Sequence, residues 1–344
     1  MSAPRTVTGQ LVADRYDLVL AHEHLAIDIR CWLDETHDAS CHLRDERVDE
    51  RTVAAVRTNP FACLDNLVLD DPERVAAELR PLAAAGRVLV VDVTPENVGR
   101  DVDALCGMSR ATGIDIVYGC GRYIAESRPG DDPALPAEAY RDELLAQFDG
   151  PGPRPAVIGE IGTGDPIQPV EVASLRGAAM AQAQLGVALY VHLHPWARRG
   201  HEALDLVERA GGDLSKVVLC HLDPQIRGGL DYHRELIDRG ATIAFDIWGD
   251  EYPYGHVTMP SDDERVAATV ELVASGRGRS LVHSQDVCTK TQLRAFGGAG
   301  YDHVARVVAP RLVAAGLDEA EVHRQLAGNA LALLHATRRE RPAA

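Results

Sequence analysis

The sequence predicts an α/β chain folded as a TIM-type (β/α)₈ barrel, and three observations predict it. Short β-branched runs recur eight times along the 344 residues. Each run closes near a Gly, His or Asp and gives way to a stretch with helical periodicity. The runs are also apolar at successive positions, as strands covered on both faces must be, which implies a parallel sheet.

In chain order the expected strands are Leu18–His22, Val88–Val93, Ile116–Gly119, Ala156–Glu160, Ala188–His192, Val217–His221, Thr242–Asp246 and Ser280–Asp286. Helical segments such as Pro72–Ala85, Val170–Leu185, His201–Ala210 and Asp262–Ala274 lie between them, several closing on a Gly that suits a helix C-terminus. Eight βα units close most simply into a barrel, with a doubly wound open sheet as the alternative from pattern alone. One domain over residues 1–337 is expected. An insertion at about 29–70 after strand one should cover the barrel mouth, and 338–344 should form a frayed tail. The region 248–260 after strand seven, with Tyr252, Pro253, Tyr254, Gly255 and His256, is expected to wall a substrate pocket.

Composition narrows the class. With 46% hydrophobic and 25% charged residues the chain is ordinary for a globular protein. No apolar run reaches the roughly 20 residues that span a bilayer. A net charge of −17 argues against nucleic acid or anionic membrane as partner. The N-terminus lacks the basic and apolar regions of a secretory signal, so a cytoplasmic location is expected. Seven scattered cysteines without a C-x-x-C pair indicate reduced thiols.

The chemistry is carried by strand ends. Side chains alternate along a strand, so in Ala21-His22-Glu23-His24 the two imidazoles share a side and Glu23 takes the other. A lone H-x-H is a weak signal, but Glu160, His221, Asp286 and a histidine of the His192-Leu193-His194 pair fall at the ends of other strands. In a parallel barrel all these ends open at one face. Four histidines and two carboxylates suit zinc, or manganese, cobalt or iron, better than calcium or magnesium. Six ligands suggest two divalent ions, which polarise a substrate oxygen and lower the pKa of the attacking water.

This pattern resembles the phosphotriesterase family of the amidohydrolase superfamily, from His22 to Asn329. The resemblance includes Gly119-Cys120-Gly121-Arg122-Tyr123, Asp286-Val287-Cys288-Thr289-Lys290, Gly297–Tyr301 and Gly328-Asn329. It favours His192 over His194. It implies that His22, His24 and Asp286 hold one metal and His192 and His221 the other, with the strand-four residue between. That residue is Glu160, where the best-known members carry a carboxylated lysine, and Asp246 is followed by Ile247, where the lactonase branch usually has Arg. Ala183-Gln184-Leu185-Gly186, His221-Leu222-Asp223, Met259–Asp263 and Thr289-Lys290-Thr291 are similar to the phosphotriesterase-related branch, one member of which cleaves an N-acyl amide of taurine.

The resemblance therefore implies a small-molecule hydrolase, N-acyl amides first, lactones or carboxylic esters second, phosphotriesters third. A non-catalytic metal-binding barrel is the reading from another class. Asp286 is expected to take the proton of the attacking water. Tyr123 is a candidate to steady a substrate carbonyl, with loop packing the competing reading. Lys290, Arg294 and Arg122 are candidates to hold an anionic substrate group, against plain solvation. Trp32, Trp196 and Trp248 are expected in an apolar wall, and His283, of opposite parity to Asp286, should face the helices. Members of the family are often homodimers.

Overall fold

The computed structural model describes residues 5–11, 16–34, 38–128, 135–254 and 257–335. The expected tail at 338–344, and Gly255 and His256, lie outside them. All eight expected strands are present: β1 (Leu18–Glu23), β2 (Val88–Asp92), β3 (Asp115–Cys120), β4 (Val157–Gly162), β5 (Leu189–His192), β6 (Val217–Leu219), β7 (Thr242–Phe245) and β8 (Leu281–His283). They pair in parallel in sequence order from β1 to β8. One helix of two or more turns follows each of the first seven: α1 (Pro72–Leu79), α2 (Val102–Thr112), α3 (Ala137–Asp149), α4 (Pro169–Leu185), α5 (Gly200–Arg209), α6 (Asp231–Asp238) and α7 (Asp262–Ala274). Helical turns at 304–314 and 319–334 complete the eighth unit. Among the described residues no helix is long and apolar enough to cross a membrane.

Capping fixes where several helices begin. Asp71 and Asp101 accept the backbone N–H three residues on, and Ser261 forms a reciprocal box with Glu264. The sheet separates two apolar layers. Leu18, Leu20, Val90, Ile116, Leu189 and Phe245 pack with helix residues such as Leu79, Leu105, Leu175 and Leu272. Val19, Ala21, Val91, Val117, Tyr190 and Val218 fill the barrel, sealed at one end by Leu11, Tyr16 and Leu331.

Two irregularities decide which side chains reach the barrel mouth. Leu20 pairs with Val90 but Glu23 with Asp92, so β1 carries one extra residue, a bulge that reverses the alternation. His22 therefore turns inward although Leu18 and Leu20 face the helices. In β4 Ile158 pairs with Leu189 but Ile161 with Val191, and this second bulge brings Glu160 inward in the same way. Gly159, at φ +120°, makes it possible: a Cβ there would sit 2.5 Å from the Tyr190 carbonyl oxygen. The glycine thus serves the close packing of β4 on β5.

The last strand is shorter than Ser280–Asp286. It ends at His283, and Asp286 lies beyond it in the left-handed region at φ +50°. His221 likewise follows the end of β6 at φ +60°. Such backbone is costly for a side chain with a Cβ and concentrates at functional sites.

Candidate metal centre

Four strand ends and the loop after β8 bring six side chains to one buried point. His24 Nε2 lies 3.1 Å from Asp286 Oδ1 and 3.5 Å from Glu160 Oε1. His22 Nε2 lies 3.4 Å from the same Asp286 oxygen and 3.7 Å from Glu160 Oε2. On the other flank His192 Nδ1 is 3.2 Å from Glu160 Oε2 and 2.9 Å from His221 Nε2. His22, His24, Glu160, His192 and His221 are each at most 3% exposed. Glu160 thus lies between the imidazoles, Oε1 towards His24 and Oε2 towards His192, His221 and His22.

Separations of 3–4 Å between donor atoms match the edges of a coordination shell with bonds of about 2.0–2.2 Å. Two buried atoms at the centre, His22 Nε2 and Glu160 Oε2, have no hydrogen-bond partner. Buried polar atoms are rarely left so, and a cation satisfies both. Two triads that could hold a metal ion include five of the residues: His22, His221 and Asp286; Glu160, His192 and His221. The donor set and its geometry fit divalent metal.

The charges agree with that arrangement. Burial opposes ionisation of Glu160, but His192, His22 and His221 hold its carboxyl well below the usual carboxylate range. Burial lowers His192 to about 4, against the pull of Glu160, so its imidazole is neutral, the form that binds metal. Burial also opposes the charging of His22, which Asp246, Glu160 and Asp286 outweigh, raising it to about 9, so without metal it holds a proton that a bound cation would displace.

Sequence reasoning missed the residue behind the cluster. Asp246, fully buried at the end of β7, places Oδ2 3.1 Å from His22 Nδ1 and Oδ1 3.1 Å from His221 Nδ1. It also accepts the His221 backbone N–H. One carboxylate therefore orients an imidazole on each flank, leaving both Nε2 atoms for the centre. The signal was present, since Asp246 closes its strand just as the candidate ligands close theirs. Thr94 plays the same part for His24, its Oγ1 lying 2.8 Å from Nδ1.

Tyr123 lies at the site: its hydroxyl is 3.5 Å from His192 Nε2 and accepts the Trp32 indole N–H at 2.9 Å. Burial, with Glu160 nearby, raises it well above the usual phenol range. Trp32, Trp196, Tyr254 and Met259 line the cavity in front of the cluster, as does Phe61 of the insertion. His194 sits to one side, its ring packed against Trp32 and Trp196.

Other expected residues lie elsewhere. Trp248 is buried away from the cavity and donates its indole N–H to His283 Nδ1. His283 faces the C-terminal helical segment, Nε2 towards Gln325. Lys290 pairs with Asp65 at 2.8 Å, Arg294 with Asp302 at 2.7 Å and Arg122 with Glu143 at 3.0 Å, and none of the three lines the cavity. Gly297, at φ +77°, closes a turn by donating its N–H to the Arg294 carbonyl.

Comparison with known proteins agrees with this geometry. Residues 4–334 match the model of the phosphotriesterase family. The N-acetyltaurine hydrolase of Tetraodon nigroviridis is 32% identical over 94% of this chain and 95% of its own. Among solved structures, a resiniferatoxin-binding protein from Rhodobacter sphaeroides aligns with a TM-score of 0.92 at 36% identity, covering 98% of this chain and 96% of its own. The phosphotriesterase homology protein of Escherichia coli, solved with phosphate in its active site, aligns with a TM-score of 0.76 at 26% identity over 92% and 98% of the two chains. Family model, relatives and fold agree along nearly the whole length, and this chain belongs to the phosphotriesterase family of metal-dependent hydrolases.

Proposed function

We propose that the centre holds two divalent ions, zinc first, with His22, His24 and Asp286 on one flank, His192 and His221 on the other and Glu160 shared, and that it hydrolyses a carbonyl substrate, an N-acyl amide first. The observation that carries this reading is the position of Glu160, whose two oxygens lie 3.5 Å from His24 Nε2 and 3.2 Å from His192 Nδ1. The bound ions supply Lewis acidity towards the carbonyl and lower the pKa of the attacking water.

The chain's own residues do the rest. Asp286, beside His24 and His22, accepts the proton of the water as it attacks and delivers it to the leaving nitrogen or oxygen. Tyr123 keeps its proton. Since its oxygen already accepts from Trp32, its O–H is left to donate to the substrate carbonyl oxygen as charge develops there. Asp246 and Thr94 keep the imidazoles in place. The aromatic wall excludes bulk water from the reacting atoms.

Relatives named N-acetyltaurine hydrolase support an amide bond. Phosphate in the active site of the Escherichia coli neighbour supports a phosphotriester as a secondary substrate. The Rhodobacter neighbour, described as a binding protein, favours one rival, ligand capture without turnover. A panel of N-acyl amides, lactones, carboxylic esters and aryl phosphotriesters, offered to the zinc-loaded protein and to Asp286→Asn, separates these readings. Turnover of a carbonyl substrate that Asp286→Asn loses while keeping its metal is the expected result, and no turnover of any class by the wild-type protein favours capture.

A further inference from the structure

A cavity opens in front of the cluster, and counting the solvent at its mouth its empty space is about 580 Å³. Its lining is divided. The polar groups, among them Tyr123, Glu160 and Asp286, form the floor, and four rings supply a wall. Trp32 stacks on Phe61 at 5.6 Å with 24° between the planes, Phe61 meets Tyr254 at 4.9 Å, Tyr254 meets Trp196 at 5.9 Å, and Trp196 returns edge-on to Trp32 at 6.2 Å. The circuit draws on three loops: the insertion after β1 gives Trp32 and Phe61, the loop after β5 gives Trp196, and the loop after β7 gives Tyr254.

The polar atoms of this wall are largely committed. The Tyr254 hydroxyl donates to Asp250 and the Trp32 indole to Tyr123. Gln292, also in the lining, accepts from the backbone of Cys288 and Thr289 and donates to the Asp286 carbonyl. The Trp196 indole N–H is the exception. It is buried and has no acceptor, although an indole nitrogen can only donate and is usually paired when buried. Among the described lining residues there is no Lys or Arg, and Lys290, Arg294 and Arg122, the loop cations expected to hold an anionic group, are held by Asp65, Asp302 and Glu143.

An anionic tail, such as the sulfonate of an acyl taurine, would enter this wall without a counter-charge, which a buried anion requires. A neutral ring would meet four aromatic faces and edges. We infer that the substrate of this centre is an uncharged amide or ester with an aromatic group beside the scissile carbonyl, not an anionic acyl amide. The inference rests on the hydrolytic reading for the bond cleaved, and on the cavity alone for the group recognised.

Phenyl acetate and 4-sulfophenyl acetate form a matched pair that differs in charge, and the sulfonate makes the slightly better leaving group. With the zinc-loaded enzyme, kcat/KM for phenyl acetate should exceed that for the sulfonate at least 100-fold. Phe61→Ala should raise KM for phenyl acetate about tenfold and reduce its kcat/KM advantage over ethyl acetate. Quenching of tryptophan fluorescence by N-benzylacetamide and by N-acetyltaurine reads the same preference without turnover, because Trp32 and Trp196 form the wall. Tighter binding of N-acetyltaurine, or equal kcat/KM for the two esters, overturns the inference. Preferential binding of N-benzylacetamide with no hydrolysis of any compound upholds it and overturns the hydrolytic reading instead.

Discussion

Glu23 and Ser284 join the two ends of the barrel: the Ser284 hydroxyl donates to the Glu23 carboxylate at 2.7 Å, across the seam between β1 and β8. Among the described residues no backbone ladder pairs these two strands. The same carboxylate accepts the backbone N–H groups of Gln285 and Val287 at 2.8 and 3.0 Å, so it grips the chain on either side of Asp286. Glu23→Gln turns one acceptor oxygen into a donor facing these N–H groups. It should lower unfolding free energy by about 1–3 kcal/mol in denaturant titrations, the cost of a buried donor left unpaired. Metal content should fall as well, because Asp286 loses its mooring. Wild-type stability and metal content in this variant would show that the seam does not depend on Glu23.

Asp246→Asn keeps the size of the side chain and removes the charge shared by His22 and His221. Loss of such an orienting carboxylate typically weakens metal affinity 10–100-fold. Competition with a chromogenic chelator should show that loss with circular dichroism unchanged. Unaltered affinity would mean that the two imidazoles are held by packing alone.

Much of this was legible in the sequence, because a β-branched run ending in a ligand-type residue is a local signal. All eight strands were found that way, and five of the six candidate ligands followed from the shared face of a parallel barrel, with His192 chosen over His194 by the family resemblance. The bulges were not legible: alternation placed His22 and His24 together, but only the register against β2 shows why they face inward. Asp246 and Glu23 escaped because each acts through residues distant in sequence, Glu23 through Ser284 across 261 positions. The ion pairs of Lys290 with Asp65 and Arg122 with Glu143 are equally non-local, which is why loop cations near the mouth read as substrate anchors.

A second buried network supports the mouth from behind. Arg265, with no exposed surface, donates to Asp223 at 2.6 Å, to Asp262 at 3.2 Å and to the Asp250 carbonyl, tying the loops after β6 and β7 to α7. Arg265→Met leaves two carboxylates buried without their cation and should cost about 3–5 kcal/mol in unfolding free energy. Adding Asp223→Asn should recover part of the loss. A loss below about 1 kcal/mol would show the clasp to be dispensable.

His283 gives a pH dependence. Burial lowers it to about 4, with Gln325 opposing, and it accepts from Trp248 at Nδ1, so it is neutral when folded. Between its unfolded value of about 6.5 and about 4 the unfolded chain binds the extra proton, so this contribution to stability is present above that window and is lost as pH falls through it. The shift is worth on the order of 3 kcal/mol. His283→Gln should flatten the difference in denaturation midpoint between pH 7 and pH 4.5 relative to wild type, and an unchanged difference would place the acid sensitivity in other groups.

The central claim is that the six converging side chains form a two-metal hydrolytic centre. Stepwise addition of Zn²⁺ to the metal-stripped protein, with hydrolysis of a carbonyl substrate followed at each step, tests it most directly. Activity should rise until two equivalents per chain are bound and then level off. Full activity at one equivalent, or in metal-stripped protein, would contradict the account.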